Sequence, residues 1–370
     1  MWKEFIDYDL NRCKDAADFL QKNFGAHPLE IAWSKEYFYW KLSNQNISGK
    51  GYLAICEVDG KIVGTASVTK KNAIINNKQV SIVEIGDTYT LPSMRREMPE
   101  SLSKFNNNPK DYVNRSMFGR MVEDLVMQVK KDGDLLVYGT PNKNSYPGYV
   151  NRLNFKEYKS YKNRSYSRPK FSQIVMHYPF LKNLEFLANK IDNAYISSLR
   201  AIYKLKKFNI IIKRGEEAPS EIQALWSKVL SLKKSFSLVR DVEYWQYRYE
   251  NHPINNYMFH SYSNNGNLLA VLVTRVMTLV DGRKALVIAE WMCSSSLSLS
   301  YMINDILYFY KNSDLDAYIL WGNIKNSRDF KTNLFIKRKN IPIIFYDSLG
   351  TQIPESHHDF DFYMGTSDAI

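Results

Sequence analysis

Cysteine is scarce in this chain: Cys13, Cys56 and Cys293 are the only three in 370 residues, far apart and never in a CxxC pair. That excludes a disulfide framework and a cysteine-rich zinc site. Also missing is any run of about 18 apolar residues of the kind that spans a bilayer. The first segment, MWKEFIDYDLNRCKDAADFL, carries charges throughout and lacks the apolar centre of a signal peptide. A cytoplasmic chain without membrane insertion is expected. Ligand-spaced histidines are lacking too. His357-His358 with Asp359 and Asp361 has no second cluster to complete it, and no metal is expected. No nucleic-acid module is readable. The basic, tyrosine-interleaved stretch at 156–170, KEYKSYKNRSYSRPK, reads as a hairpin or solvated linker rather than a strand-binding surface.

What is present is enough apolar material for two cores. The chain is 45% hydrophobic and 14% aromatic, and its length suits two domains. The formal charge of +12 calls for acidic partners, and small polyphosphates satisfy it without any nucleic-acid module.

The stretch from Val83 to Phe155 carries the most chemistry. VSIVEIGDTY reads as a buried strand, RSMFGRMVEDLVMQVKK as a helix with Met117, Met121, Leu125 and Val129 at helical spacing, and DLLVYGT as a second buried strand. Ser116 and Gly119 stand in the helix's first turn, where unpaired N–H groups and the helix dipole favour an anion, and Arg115 and Arg120 add full charges. The segment 94–114 between the first strand and this helix contains no glycine. Arg95 and Arg96 are the alternative phosphate ligands.

Two stretches repeat. YFYWKLSNQN with YLAICEVDGKIVGTASVT is echoed by YWQYRYENHP with MFHSYSNNGNLLAVLVTR, each an aromatic-basic helix end followed by strand, Gly turn and strand. The interval is 20 from Trp40 to Gly60 and 19 from Tyr247 to Gly266. The second copy continues through ALVIAEWMC, SYMINDILYFYKN and DAYILWGN, without the arginine-flanked helix start. Between the copies, 180–208 reads as amphipathic helix with a basic face, either an interdomain connector or a membrane-surface element. The expected division is a first lobe at 1–170, a helical connector at 171–215 and a second lobe at 216–370.

These residues, together with NKNSYPGYVNRLNF, resemble the GNAT acyltransferase superfamily, closest to tandem-GNAT enzymes that acylate nucleotide-linked amino sugars for O-antigen or capsule assembly. The resemblance implies an α/β fold of two lobes, each a central mixed, mostly antiparallel sheet flanked by helices. It implies transfer of an acetyl or 3-hydroxybutanoyl group from acyl-CoA, the cosubstrate, to the amine of a dTDP-linked amino-deoxysugar, by direct attack. Acyl-CoA contacts fall to Arg115, Ser116, Met117, Phe118, Gly119 and Arg120, with Asn142 and Ser145 from the second motif. Tyr149 becomes the acid for the departing thiolate, and Asp87 or Glu84 the base. Strand alternation points those two carboxylates to opposite faces unless a bulge intervenes. For the acceptor the candidates are Trp33, Tyr37, Trp40, Thr88, Tyr89, Tyr247, Arg248, Trp291, Trp321 and Asn323. Two rival readings are an aminoacyl-tRNA-dependent peptidoglycan-type transferase, whose long helical arm is not readable here, and a non-catalytic binding protein of the same fold.

Overall fold

The structure is a computed structural model describing residues 2–6, 10–24, 33–94, 116–158, 163–205, 209–231, 236–279, 281–294, 297–323 and 332–348. Arg95, Arg96, Arg115, the histidine pair and the C-terminal tail lie outside the described residues.

Two long hairpins start the first half. β1 (Trp2–Ile6), β2 (Tyr52–Val58), β3 (Lys61–Ile75) and β4 (Lys78–Thr90) pair antiparallel in order. The β2–β3 turn has Asp59 and Gly60 at φ 50° and 72°, and the β3–β4 turn has Asn76 and Asn77 at 50° and 63°. Left-handed pairs of this kind match the twist of tight hairpins and suit Asx and Gly. β4 then joins β5 (Leu136–Gly139) in parallel, through the crossover helix α3 (Met117–Lys131). Helices α1 (Leu10–Phe24) and α2 (Lys35–Leu42) cover the opposite face, and the short α4 (Tyr146–Arg152) follows β5.

The apolar spacing of α3 explains its seat. Met117, Met121, Leu125 and Val129 recur every four residues and are all buried, packed with Val83, Ile85, Val137 and Tyr149. Each such side chain stabilises the fold by about 1.5–3 kcal/mol.

The second half repeats the plan. Its elements are β8 (Ile211–Gly215), β10 (Met258–Asn264), β11 (Asn267–Thr278) and β12 (Lys284–Cys293), with β13 (Ala317–Asn323) parallel to β12 through α9 (Leu299–Phe309). Its first tight turn, Asn265-Gly266, again has φ of 48° and 76°. Helix α7 (Ile222–Ser231), the short α8 (Val242–Trp245) and the π-turn Gln246–Glu250 cover one face.

The halves exchange a strand. β7 (Asn163–Pro169) leaves the first half and pairs with β13 and β14 (Ile336–Asn340) of the second sheet. Reciprocally, β15 (Ile344–Asp347) pairs with β5 and β6 (Lys156–Glu157) of the first. The orders are β1-β2-β3-β4-β5-β15-β6 and β8-β10-β11-β12-β13-β7-β14, so β15 and β7 hold equivalent places. β9 (Phe236–Leu238) also crosses over to pair with β3. Sheet membership therefore does not follow the divisions at 170 and 215, because β7 precedes the first and β8 lies between them. The connector holds α5 (Phe171–Met176) and α6 (Glu185–Leu205). Among the described residues no helix is long and apolar enough to cross a membrane.

Candidate active site

β4 and β5 pair at Val83↔Val137 and Glu84↔Tyr138 and then diverge. β4 continues to Thr90 while β5 ends at Gly139, leaving a fork. Its apex is tight: a Cβ on Gly139 would stand 2.9 Å from Ile85 Cγ2 and 3.0 Å from the Ile85 carbonyl oxygen. Only glycine fits there without pushing the strands apart.

Beside the fork, β4 bulges. Pairing with β3 runs Ser67↔Gly86 and then Thr65↔Tyr89, so Asp87 and Thr88 together oppose Ala66. Asp87 takes φ of +49°, left-handed backbone that Asp tolerates better than most residues. The bulge is tied down on both sides, by Thr65 Oγ1 donating to the Asp87 carbonyl at 3.0 Å and Thr88 Oγ1 to that of Gly86 at 3.1 Å.

This bulge is the exception to strand alternation for Glu84 and Asp87, and the two carboxylates share a face. Asp87 accepts from Ser67, and Glu84 lies against Lys71 at 3.6 Å; Ser67 and Lys71 are four apart on β3 and share one face. The extra residue resets the alternation, bringing both carboxylates to the face covered by α2 and sending Thr88 to the α3 face.

Asp87 is held by three elements. Its Oδ2 takes the Lys41 ammonium from α2 and the Ser67 hydroxyl from β3, while the Trp33 indole N–H donates to Oδ1 at 3.4 Å. Lys41 is 1% exposed and Asp87 10%. The ammonium sits 5.0 Å and 4.6 Å from the ring centroids of Tyr37 and Phe38, which adds cation–π attraction. Lys41 was missed by sequence reasoning. Its signal is a lone lysine in the otherwise aromatic and apolar turn YFYWKL. Glu84 is buried deeper, with Tyr138 donating to it at 3.3 Å.

On the α3 side, the Tyr149 hydroxyl lies 2.8 Å from Thr88 Oγ1. Its ring meets Phe118 and Phe155 edge-on, both at 5.1 Å. Burial raises the Tyr149 phenol above its ordinary range; the Thr88 bond opposes this and the Asp87 charge adds to it. Tyr149 is therefore neutral at physiological pH. Gly148 is required by the same packing, since a Cβ there would stand 2.6 Å from Phe118 Cε1.

The first turn of α3 is capped by Ser116, whose hydroxyl accepts from the Gly119 N–H at 3.0 Å. Met117 and Gly119 are buried, Phe118 reaches Tyr149, and Arg120 is half-buried. Asn142 Oδ1 accepts from the N–H groups of Asn144 and Ser145 at 2.9 and 3.0 Å, so both side chains shape the turn leading into α4.

Of the acceptor candidates, Trp33 and Thr88 meet the carboxylate and the phenol, and Tyr89 packs on Phe19 at 5.8 Å. Tyr37 stacks with Trp40 at 5.7 Å and with His252 at 5.5 Å. Trp40 stacks on Tyr247 at 4.4 Å, so the two positions aligned in the repeat meet across the halves. Arg248 is buried with its guanidinium 5.7 Å from the Trp40 ring. Trp291 lies in the second core, Trp321 packs against a smaller cluster there, and the Asn323 side chain lies outside the described residues. No group of three or more His, Cys, Asp or Glu positioned for a metal occurs among the described residues.

Solved structures share this architecture. A probable N-acyltransferase of unknown function from Enterococcus faecalis matches with a TM-score of 0.58 at 12% identity, covering 94% of this chain and 72% of that one. A GCN5-related N-acetyltransferase from Anabaena variabilis gives 0.54 at 10%, covering 94% and 73%. Saccharomyces cerevisiae N-myristoyltransferase with bound myristoyl-CoA gives 0.58 at 12%, covering 93% and 82%. The fold is that of the GNAT acyltransferases. No protein-family model and no curated protein matches the sequence. Within this fold, the bulge beside the β4–β5 fork reaches the start of α3 through Thr88, Tyr149 and Phe118.

Proposed function

We propose that this chain is an acyl-CoA-dependent N-acyltransferase whose reaction takes place at the fork between β4 and β5. The observation that carries the reading is the Thr88–Tyr149 hydroxyl pair beside the Asp87 bulge, next to the capped start of α3. A second support is the myristoyl-CoA bound by a protein of the same fold.

In this reading the pyrophosphate of acyl-CoA lies at the first turn of α3, where the helix dipole favours an anion and the sequence supplies Arg115 and Arg120. The thioester lies in the fork. A neutral primary amine attacks its carbonyl carbon, the C–N bond forms and the C–S bond breaks, and one amine proton leaves. Backbone N–H groups of β4 that face the fork, from Ile85 to Asp87, stabilise the oxyanion, and one such donor is worth about 3 kcal/mol.

Tyr149 serves the leaving thiolate. A thiol has a pKa of about 8.5 and the raised phenol lies above about 10, so complete proton transfer is uphill by at least about 2 kcal/mol. Tyr149 therefore stabilises the thiolate by a hydrogen bond while the amine proton passes to Asp87 or through water. Asp87 Oδ1 is the better acceptor, because it carries the long Trp33 N–H bond at 3.4 Å while Oδ2 takes both Lys41 and Ser67. Glu84, bonded to Tyr138 and next to Lys71, supports the same face.

The acceptor proposed is the amino group of a nucleotide-linked amino-deoxysugar, dTDP-linked in the finer reading. It rests on the motif resemblance and on the +12 charge.

The test is thermal stabilisation by acetyl-, 3-hydroxybutanoyl- and myristoyl-CoA, alone and with nucleotide-linked amino sugars, followed by thiol release on the combinations that bind. Stabilisation by one acyl-CoA with thiol release on a sugar is expected. No response to any acyl-CoA leaves a binding protein of this fold.

A further inference from the structure

Helix α6 runs for 21 residues, about 31 Å at 1.5 Å per residue. Its inner face is fixed to the second half of the molecule. Asp192 pairs with the buried Arg168 of β7, Arg200 with Asp305 of α9 at 3.0 Å, and Ile196 enters the second core. Such an outer-layer helix should turn charged and polar residues to water. α6 does the reverse. Leu187, Ile191 and Ile202 lie on its outward side, each more than half exposed, Phe186 in its first turn is 70% exposed, and the turn before it presents Phe180 at 79%.

The charges around this ridge are mostly positive. Lys182 and Lys190 are exposed, and the Lys190 ammonium sits 4.3 Å from the Phe186 ring centroid. The sequence goes on to Lys204, Lys206 and Lys207. From 171 to 203 the acidic residues are Glu185 and the buried, paired Asp192.

We infer that α6 and the turn before it dock this protein on the surface of a bilayer containing anionic lipids. Exposed aromatic and aliphatic side chains enter the boundary between headgroups and acyl chains, and lysines beside them reach phosphates. A second copy of the chain fits less well, because a twofold contact sets Lys182 and Lys190 near their own copies with only Glu185 to offset them. The helix lies on the membrane and does not cross it, since its inner face is taken by protein. This inference is independent of the acyltransferase reading.

The experiment is co-sedimentation of the full chain with phosphatidylcholine vesicles, with and without roughly one-third phosphatidylglycerol, at low and high salt, with light scattering for mass. The wild-type chain is expected to sediment with the anionic vesicles and to be released by salt. Phe180→Ser with Phe186→Ser should reduce partitioning about tenfold or more. Lys182→Glu with Lys190→Glu should weaken it at least about fivefold per lysine, on anionic vesicles alone. Both variants change exposed side chains and should keep the wild-type melting temperature. Wild-type protein that ignores anionic vesicles overturns the inference, as does binding that survives loss of both phenylalanines. A wild-type dimer that the phenylalanine variant converts to monomer also overturns it and assigns the ridge to self-association.

Discussion

Replacing His260 with Gln should remove a pH dependence that the wild-type fold carries. His260 is fully buried on β10, with Arg214 Nε donating to its Nδ1 at 3.2 Å and its Nε2 at 2.9 Å from Thr274 Oγ1. This arrangement requires the neutral ring, protonated on Nε2. A second proton on Nδ1 would face the Arg214 donor, whose guanidinium also bonds Asp305 at 2.6 Å. Burial, with the Arg214 charge adding to it, lowers the His260 pKa from 6.5 to about 3. The unfolded chain binds a proton below about pH 6.5 and the folded chain does not, so stability is full above that value and falls as the pH drops towards about 3. Over the whole window the loss is about 5 kcal/mol, of which about 2 kcal/mol is gone by about pH 5. Gln keeps one acceptor for Arg214 and one donor for Thr274 and does not titrate. Urea unfolding followed by tryptophan fluorescence at neutral pH and near pH 5 measures the difference. The wild-type chain should lose about 2 kcal/mol more than His260→Gln between the two conditions. Parallel losses would refute the assignment of a neutral, depressed His260.

The site yields further expectations. Tyr149→Phe should lower turnover roughly a hundredfold, the scale of one lost transition-state donor, with little change in acyl-CoA affinity; unchanged turnover assigns the thiolate to another donor. Lys41→Met should destabilise the fold by about 3–5 kcal/mol, because it strands the Asp87 carboxylate, and adding Asp87→Asn should recover part of that loss in a double-mutant cycle. Simple additivity would show that the pair is not coupled. Gly148→Ala should displace Phe118 and weaken acyl-CoA binding measured by calorimetry, since the new methyl stands 2.6 Å from the ring; unaltered binding would separate Phe118 from the cofactor site. Above about pH 10, ionisation of the buried Tyr149, Tyr244, Tyr249 and Tyr262 in the unfolded chain should draw the protein open, since burial raises all four in the fold. A melting temperature that holds steady through that range would contradict it.

Features governed by short-range periodicity were legible in the chain. Runs rich in apolar and aromatic residues became β2, β3, β4, β10, β11 and β12, and the four-residue spacing of Met117, Met121, Leu125 and Val129 became the buried face of α3. Asp59-Gly60 and Asn265-Gly266 became tight turns because those pairs accept left-handed backbone at little cost. The repeat intervals set Trp40 opposite Tyr247, and the structure stacks them. Tertiary structure alone decided the rest. The bulge at Asp87 depends on how β4 registers against β3, and that one added residue turned Asp87 towards Lys41 and Thr88 towards Tyr149. Lys41 acquires its role only when α2 packs on the sheet and buries its ammonium beside a carboxylate. The exchange of β7 and β15 is equally unreadable in the chain. A short strand shows which of its own faces is apolar, while the sheet edge it pairs with is set by the position of the other half of the molecule.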